Sequence, residues 1–296
     1  MSASWLMVVA TLLFATMGVC VKLASSQYEA GEIVFYRGLT GALMMVALSR
    51  WHAGTLRTRV PAMHFWRTLS GVIALSLWFY SIAKLPLATA MTLNYMSSIW
   101  MALFLVGGAV ALGSARVDGR LIGTVLIGFA GVALILRPTI EEQQLWYGLI
   151  GLISGMVSAT AYLQVTALGR AGEPEYRIVF YFSLGGICAG ALSLLWGGLH
   201  AHTWRGAALL LAVGLLATVA QLLMTRAYST GRTLVNASLQ YLGIVYSFAY
   251  GVLLFNDPVT WMALAGMLLI MVAGLCATLL RSHTLPQDSA NTPCES

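Results

Sequence analysis

Charged side chains are scarce in this chain, and their scarcity excludes most soluble folds. Asp, Glu, Lys and Arg make up 9% of the 296 residues, whereas 59% are hydrophobic and the mean hydropathy is +0.83. A soluble domain typically has about a quarter of its residues charged. We therefore expect the surface of this protein to face lipid rather than water.

Cysteine is also rare, and its placement gives no sign of a disulfide framework. Of the four cysteines, three fall in apolar segments and one in the polar C-terminal stretch. The first 21 residues lack the basic start and the cleavage motif of a signal peptide. We interpret them as the first membrane span.

The uncharged residues form long runs, and most runs match the roughly 20 residues that cross a hydrocarbon core of about 30 Å. These runs are 1 to 21, 85 to 115, 121 to 136, 143 to 169, 178 to 204, 206 to 225, 233 to 256 and 258 to 280. Shorter stretches at 33 to 49 and 68 to 83 are bordered by Arg50 and Arg67, whose stems can reach the interface. The runs are too long for barrel strands and lack alternation. The prediction is an all-α membrane protein with ten transmembrane helices.

The basic residues are distributed unevenly between the two sets of loops. With a cytoplasmic N-terminus, eleven arginines lie inside, against four basic residues outside and Arg37 within a span. Such a bias is typical of the positive-inside rule, so both termini are expected in the cytoplasm of a bacterial inner-membrane protein.

The two halves of the chain resemble each other. Ile33-Val34-Phe35-Tyr36 recurs 145 positions later as Ile178-Val179-Phe180-Tyr181. Matches at similar offsets are Ala15-Thr16 with Ala159-Thr160, Ala83 with Ala227, Leu93-Asn94-Tyr95 with Leu239-Gln240-Tyr241, and Gly123 and Gly131 with Gly266 and Gly274. Because each half holds five spans, the second must enter the membrane from the opposite side. This predicts inverted repeats at 1–143 and 144–281, and a disordered cytoplasmic tail at 282–296.

With the opening TLLFATMGVCVKLAS, the FYRGLTGAL segment around Arg37 and the glycine-rich fifth and tenth spans, the chain resembles EamA-type exporters of the drug/metabolite transporter superfamily. The resemblance covers nearly the whole chain. It implies a central cavity lined mainly by spans one, three, four, six, eight and nine. It also implies metabolite export, with aromatic and other neutral amino acids as the expected substrates.

Polar residues inside the spans are the candidate substrate contacts, because each is costly in lipid unless it faces a cavity or a partner. Span four supplies Asn94, Tyr95 and Ser98, and span nine supplies Asn236, Gln240 and Tyr241. The repeat sets Asn94-Tyr95 and Gln240-Tyr241 at inverted equivalent positions, which suits a ligand with an ammonium and a carboxylate. The alternative is that these amides only hold helices together.

Mid-span aromatic residues and two further glutamines extend the set. The aromatic candidates for stacking on substrate are Trp78, Tyr80, Trp100, Tyr162 and Tyr246, and the glutamines are Gln164 and Gln221. Ordinary packing explains each of them as well. Lys22 and Arg37 are interpreted as gating or structural charges, with a substrate carboxylate as the alternative partner of Arg37.

The chain lacks the motifs of an enzyme. It has no nucleotide-binding GxxxxGK[ST], no zinc-ligand set and no acid/base cluster, so we expect no catalysis and no cofactor. It also lacks carboxylates deep in the spans, which favours gradient-driven export over proton antiport. The expected partners are a small-molecule substrate and the lipid bilayer, not nucleic acid, and the protein is expected to act as a monomer. Export of organic cations or drugs is the alternative; a membrane-embedded enzyme or a sensor is disfavoured.

Overall fold

The computed structural model describes the backbone of residues 2–51, 54–111, 119–136, 142–231, 236 and 239–284, and every regular element within these ranges is an α-helix. The helices are α1 (Ala3–Ala24), α2 (Ala30–Trp51), α3 (Pro61–Lys84), α4 (Leu87–Tyr95), α5 (Ser97–Ala111), α6 (Gly119–Leu136), α7 (Glu142–Arg170), α8 (Glu175–Gly197), α9 (Trp204–Thr230), α10 (Leu242–Phe255) and α11 (Trp261–Thr284). The all-α prediction is confirmed.

Five of these helices are long and apolar enough to cross a membrane. They are α1, α2, α8, α9 and the Leu145–Arg170 part of α7, and α10 and the start of α11 are shorter apolar helices. Large apolar side chains such as Leu43, Leu195, Trp196 and Leu253 lie exposed on the outside of the bundle. In water such a surface would aggregate, so this is a multi-pass membrane protein.

Two clusters of polar contacts mark the opposite ends of the bundle. Helix α2 begins beside Glu32, which contacts His200, and ends beside Ser49, whose hydroxyl donates to the carbonyl of Gly54. Its 22 residues span about 33 Å, the thickness of a hydrocarbon core. We call the end with Glu32, Lys22 and Asp257 the Asp257 face, and the end with Thr55 and Glu173 the Glu173 face.

The helices of the first half pack mainly on helices of the second. Helix α1 packs on α9, α2 on α8, α3 on α7, and α6 on α11, while α4 lies against both α7 and α10. Glycines at the helix contacts allow these close approaches. A Cβ at Gly190 would come within 2.6 Å of the Phe35 backbone, and one at Gly155 within 2.6 Å of the Leu93 carbonyl.

Three helix boundaries differ from the sequence-based prediction. Helix α3 begins at Pro61, a residue suited to the first turn, so Arg67 lies inside the helix rather than at the interface. The span predicted as one helix after residue 85 is divided at Met96 into α4 and α5. Helix α11 continues to Thr284, into the predicted tail, whose remainder lies outside the described residues.

Two glycines on α6 provide a test of this packing. A Cβ at Gly131 would come within 2.7 Å of the Gly266 carbonyl of α11, whereas one at Gly123 would meet nothing within 4 Å. We expect Gly131→Ala to destabilise the protein by about 1–3 kcal/mol through overpacking. Gly123→Ala should instead stabilise it by up to about 1 kcal/mol through helix propensity. Thermal unfolding in detergent measures both, and equal effects would contradict the α6–α11 contact.

Candidate functional site

A cavity of about 50 Å³ lies at the centre of the bundle, lined by residues of α1, α2, α3, α4, α7, α8 and α9 and by Gln240. Its polar and aromatic lining comprises Thr11, Phe14, Arg37, Arg67, Trp78, Asn94, Tyr95, Ser158, Tyr162, Phe182, Gln221 and Gln240. A water molecule needs roughly 10–15 Å³ measured in this way. The cavity therefore has room for only a few waters and must widen to admit a metabolite.

Two helix breaks bring backbone and side-chain polar groups to the cavity. One follows Asn94 and Tyr95 at the end of α4, and the other is the turn at Gln240 and Tyr241 before α10. Transporters commonly bind substrate at such discontinuous helices near the midplane. The two breaks lie at Leu93-Asn94-Tyr95 and Leu239-Gln240-Tyr241, the segments that match each other in sequence.

Asn94 is held in place by α7. Its Nδ2 donates to Ser154 Oγ at 3.0 Å and to Ser158 Oγ at 3.2 Å. Gly155 lies between these serines and lets α7 touch the backbone of α4. The position of this amide thus depends on contact between α4, in the first half, and α7, in the second.

Gln240 is bonded less completely. Its side chain interacts with the hydroxyl of Tyr162 and its Nε2 lies 3.9 Å from Met224 Sδ, while its Oε1 is buried without a hydrogen-bond partner. The ring of Tyr162 stacks on that of Tyr228 with centroids 5.6 Å apart. Gln240 therefore offers an acceptor to a bound molecule.

Two arginines line the same cavity. Arg37 is 4% exposed and Arg67 2% exposed, and their guanidinium carbons lie 4.7 Å and 4.4 Å from the ring centroid of Phe182. Arg37 Nε, Arg67 Nε and Arg67 Nη1 are buried without hydrogen-bond partners. Sequence reasoning placed Arg67 at the interface with a snorkelling stem, which is wrong.

At the Asp257 face, one carboxylate joins the two halves. Lys22 Nζ donates to the Leu85 carbonyl at 3.1 Å and lies 3.4 Å from Asp257 Oδ1. Asp257 Oδ2 accepts from the Leu87 N–H at 3.0 Å, at the start of α4. A second link at this face joins Glu32 Oε2 to His200 Nδ1 at 2.8 Å.

At the Glu173 face, the carboxylate of Glu173 collects three partners. His64 Nε2 lies 2.9 Å from its Oε2, Arg177 Nη1 donates to Oε2 at 3.0 Å, and the Thr58 hydroxyl donates to Oε1 at 3.1 Å. Burial raises the pKa of Glu173, but the hydrogen bonds from His64, Arg177 and Thr58 outweigh it and leave this pKa lowered. Arg177 Nη2 also donates to the Thr55 carbonyl at 2.8 Å. The loop that contains Arg57 and the start of α8 at Arg177 therefore lie on the same face.

Comparison with known proteins identifies the family. A family model described as the EamA-like transporter family matches residues 1–137. The pseudopaline exporter CntI of Pseudomonas aeruginosa is 33% identical over 278 residues, which cover 94% of this chain and 95% of the relative. The chain belongs to the EamA-like transporter family. The resemblance to EamA-type exporters drawn from the sequence is thereby confirmed.

Other relatives of this EamA-like transporter agree with that assignment. The riboflavin transporter of Rhizobium johnstonii is 26% identical over 230 residues, covering 77% of this chain and 74% of the relative. An uncharacterized transporter of Helicobacter pylori is 24% identical over 283 residues, 93% of each chain. A solved crystal structure with 17% identity superposes with a TM-score of 0.67 over 95% of this chain and 99% of that one, which shows a shared fold.

The EamA-like transporter gathers about half of the predicted substrate residues at the cavity. Those that line it are Trp78, Asn94, Tyr95, Tyr162, Gln221 and Gln240, together with Arg37. Tyr241 is buried at the second break beside Ser98 without lining the cavity, and Asn236 donates to the Ala227 carbonyl. The structure therefore places the amide of each helix break in the cavity, but the tyrosine of only one.

Four predicted contacts lie elsewhere in the EamA-like transporter. Trp100 packs against Phe104 and Phe129, Tyr80 stacks edge-on with Tyr147, and Gln164 accepts from the Ser70 hydroxyl at 3.0 Å. Tyr246 is half-buried and packs against the core. Within the described ranges, no three His, Cys, Asp or Glu side chains come together in a way that could hold a metal ion.

Sequence reasoning missed five polar or aromatic cavity residues: Thr11, Phe14, Arg67, Ser158 and Phe182. The signal for Arg67 was present, since it lies six residues after Pro61, a residue that favours the first turn of a helix. Ser158 and Phe182 carried no such signal, because their position depends on packing between distant parts of the chain.

Proposed function

We propose that this EamA-like transporter is a secondary exporter that moves a small metabolite by alternating access. In this proposal ten membrane crossings form two inverted five-helix repeats, 1–143 and 144–281, around the central cavity. The observation that carries it is the cavity itself, to which Asn94 and Gln240 come from equivalent helix breaks in the two halves. Inverted repeats around a midplane site are a recurrent architecture for alternating access.

The contacts at the two faces support this mechanism. Asp257 in the second half holds Lys22 and Leu87 in the first, and Glu173 in the second half holds Thr58 and His64 in the first. Opening the cavity to either side must break one of these sets. Because the cavity is too small for a metabolite and both sets are formed, we assign this conformation to an occluded state of the proposed cycle.

The proposed orientation follows the arginine bias of the loops. With the Glu173 face in the cytoplasm, both termini are cytoplasmic, in agreement with the positive-inside rule. The protein then lies in the bacterial inner membrane and exports from the Glu173 face to the Asp257 face, as a monomer.

The proposed cargo is an amino acid or a metabolite of similar size. The cavity combines aromatic rings, Trp78 and Tyr162, with the amides Asn94 and Gln240. Molecules of the kind named for the relatives, pseudopaline and riboflavin, are further candidates. Organic cations are the second candidate class.

The test is efflux from proteoliposomes loaded with labelled amino acids, organic cations or riboflavin. We expect efflux above empty vesicles for at least one class. Asn94→Leu and Gln240→Leu should each reduce it about tenfold or more, because a buried group of the substrate loses its partner at a cost of about 1–3 kcal/mol. Gln164→Leu, an amide outside the cavity, is the matched control. Equal efflux from all three variants, or none from the unmodified protein, would count against the proposal.

A further inference from the structure

The cavity contains two buried positive charges that come from opposite faces of the membrane. Arg37 is on α2, seven residues from the start of the helix at the Asp257 face, and Arg67 is on α3, six residues from its start at the Glu173 face. Each is therefore about 10 Å inside its own face. They meet at the ring of Phe182, and they are close enough to repel each other.

The protein supplies no opposite charge to either arginine in the part of the chain that the structure describes. Glu32 is bound by His200, Glu173 by His64 and Arg177, and Asp257 by Lys22, and none of the described carboxylates lies within ion-pair distance of Arg37 or Arg67. A buried charge in a membrane protein is costly and is normally paired.

Stacking on the Phe182 ring stabilises the charge of the guanidinium groups but provides no acceptor for their N–H groups. A cation over an aromatic face is stabilised by the ring, but its N–H groups point outward in the guanidinium plane. Arg37 Nε and Arg67 Nε and Nη1 are such donors, buried without partners. Three guanidinium nitrogens thus remain without partners at the cavity.

The neighbouring unpaired groups are also mostly donors. Trp78 Nε1 and the Tyr95 hydroxyl are buried without partners in the same cavity, and the indole N–H can only donate. Gln240 Oε1 is an unpaired acceptor in the same cavity, and the Tyr95 hydroxyl can donate or accept. Such a lining is complementary to a molecule rich in acceptor oxygens.

We propose that Arg37 and Arg67, which both lie over the ring of Phe182, bind two oxyanion groups of the substrate, so that the cargo is a small organic dianion. This inference rests on the proposed transport function and narrows its substrate class. It favours polycarboxylates, or acidic over neutral amino acids, and it disfavours organic cations. Arginine forks bind carboxylates and phosphates in the same bidentate way, so both chemistries are tested below.

A substitution at Gly71 distinguishes a substrate-binding role of the arginines from a purely structural one. A Cβ at this position would lie 1.9 Å from Arg67 Nη1 and 2.9 Å from the Phe182 ring. Gly71→Ala therefore displaces a flexible guanidinium while both charges stay in the protein. A substrate-binding role predicts weaker anion binding in this variant with little change in thermal stability.

The decisive experiment compares ligands matched in their phenyl ring and different in charge. Phenylsuccinate, phenyl phosphate, phenylalanine and phenethylamine are each titrated on the purified protein, with thermal shift and tryptophan fluorescence as binding readouts. The same compounds, labelled, are tested for uptake into proteoliposomes. We expect phenylsuccinate to bind at least about tenfold more tightly than phenylalanine, and phenethylamine not to bind.

The arginine variants test the assignment to these side chains. Arg37→Gln and Arg67→Gln should each weaken phenylsuccinate binding about thirtyfold or more, as removal of one partner of a buried charged contact does, and Arg→Lys should restore part of the loss. If a Gln variant does not fold, Gly71→Ala and the ligand series on the unmodified protein still decide the matter.

Three outcomes separate the inference from the proposed function. Binding of phenylsuccinate without uptake supports the arginine site and overturns transport. Uptake of phenylalanine or phenethylamine in preference to both anions supports transport and overturns the arginine site. Preference for phenyl phosphate over phenylsuccinate keeps the dianion site and assigns it to phosphate esters, whereas an absence of binding by either anion overturns it.

Discussion

Replacing Asp257 with alanine is expected to open the Asp257 face of the protein and make the central cavity reactive from that side. The change removes the ion pair with Lys22 and the acceptor for the Leu87 N–H at the start of α4. Lys22 then remains mostly buried, with the Leu85 carbonyl and the Phe255 ring as partners but no opposite charge. Loss of such partners costs about 1–3 kcal/mol, and each 1.4 kcal/mol is a factor of about ten in an equilibrium.

The opening is measured with a cysteine in the cavity. Ala161→Cys, in a protein whose native cysteines are replaced by serine, is treated with an impermeant maleimide in vesicles of each orientation. Asp257→Ala should raise its labelling rate about tenfold on one side only. Glu175→Ala is the control, because its ion pair with Arg226 is long, at 4.0 Å, and exposed. A faster rate on the opposite side, or no change, would refute the role of Asp257.

The sequence predicted several membrane spans well, because the cost of placing a charged side chain in lipid keeps most charges out of the spans. Runs without charge located helices α1, α8 and α9 closely, since a charged side chain in lipid is costly wherever it lies. The same rule failed at α3. His64 and Lys84 lie near the two ends of α3. Arg67 lies further inside the helix, where burial against α8 accommodates its charge.

The candidate site was predictable where the repeat pointed to it. Asn94 and Gln240 were singled out because two polar residues stand at equivalent positions in apolar spans, and both line the cavity. Trp100 and Tyr246 also lie deep in their predicted spans, but they pack against other side chains and do not line the cavity. Depth in the membrane follows from the position along the sequence, whereas the direction of a side chain depends on the rotation of the helix against its neighbours.

The contacts that close the two faces were beyond prediction. Glu173 lies in the loop between α7 and α8, and its partner His64 is 109 residues away in the chain. Asp257 and Lys22 are 235 residues apart. No local pattern reports such pairs, because they form only when the two halves meet.

Glu173→Gln is expected to open the opposite face, the one that holds Thr55. The neutral amide cannot form the ion pair with Arg177, and it has one acceptor oxygen where the carboxylate has two. The buried His64 and Thr58 therefore lose the carboxylate to which both are bonded. We expect about 2–4 kcal/mol less stability, since breaking a buried charged network is costly. In the same labelling assay Ala161→Cys should become reactive from the side that Asp257→Ala leaves closed.

The pH dependence of this effect has a definite sign. Because the pKa of Glu173 is lowered from its ordinary value of 4.5 in the folded protein, the stabilisation is complete above that value and is lost as the pH falls through the lower folded pKa. The difference in melting temperature between the unmodified protein and Glu173→Gln should thus be constant from about pH 8 to pH 7, above the ordinary pKa of the paired histidine, and should shrink below about pH 4. A difference that grows as the pH falls from about 8 to 7 would show that the carboxylate is protonated at neutral pH. Closure of the Glu173 face would then depend on the neutral acid, which cannot form an ion pair with Arg177.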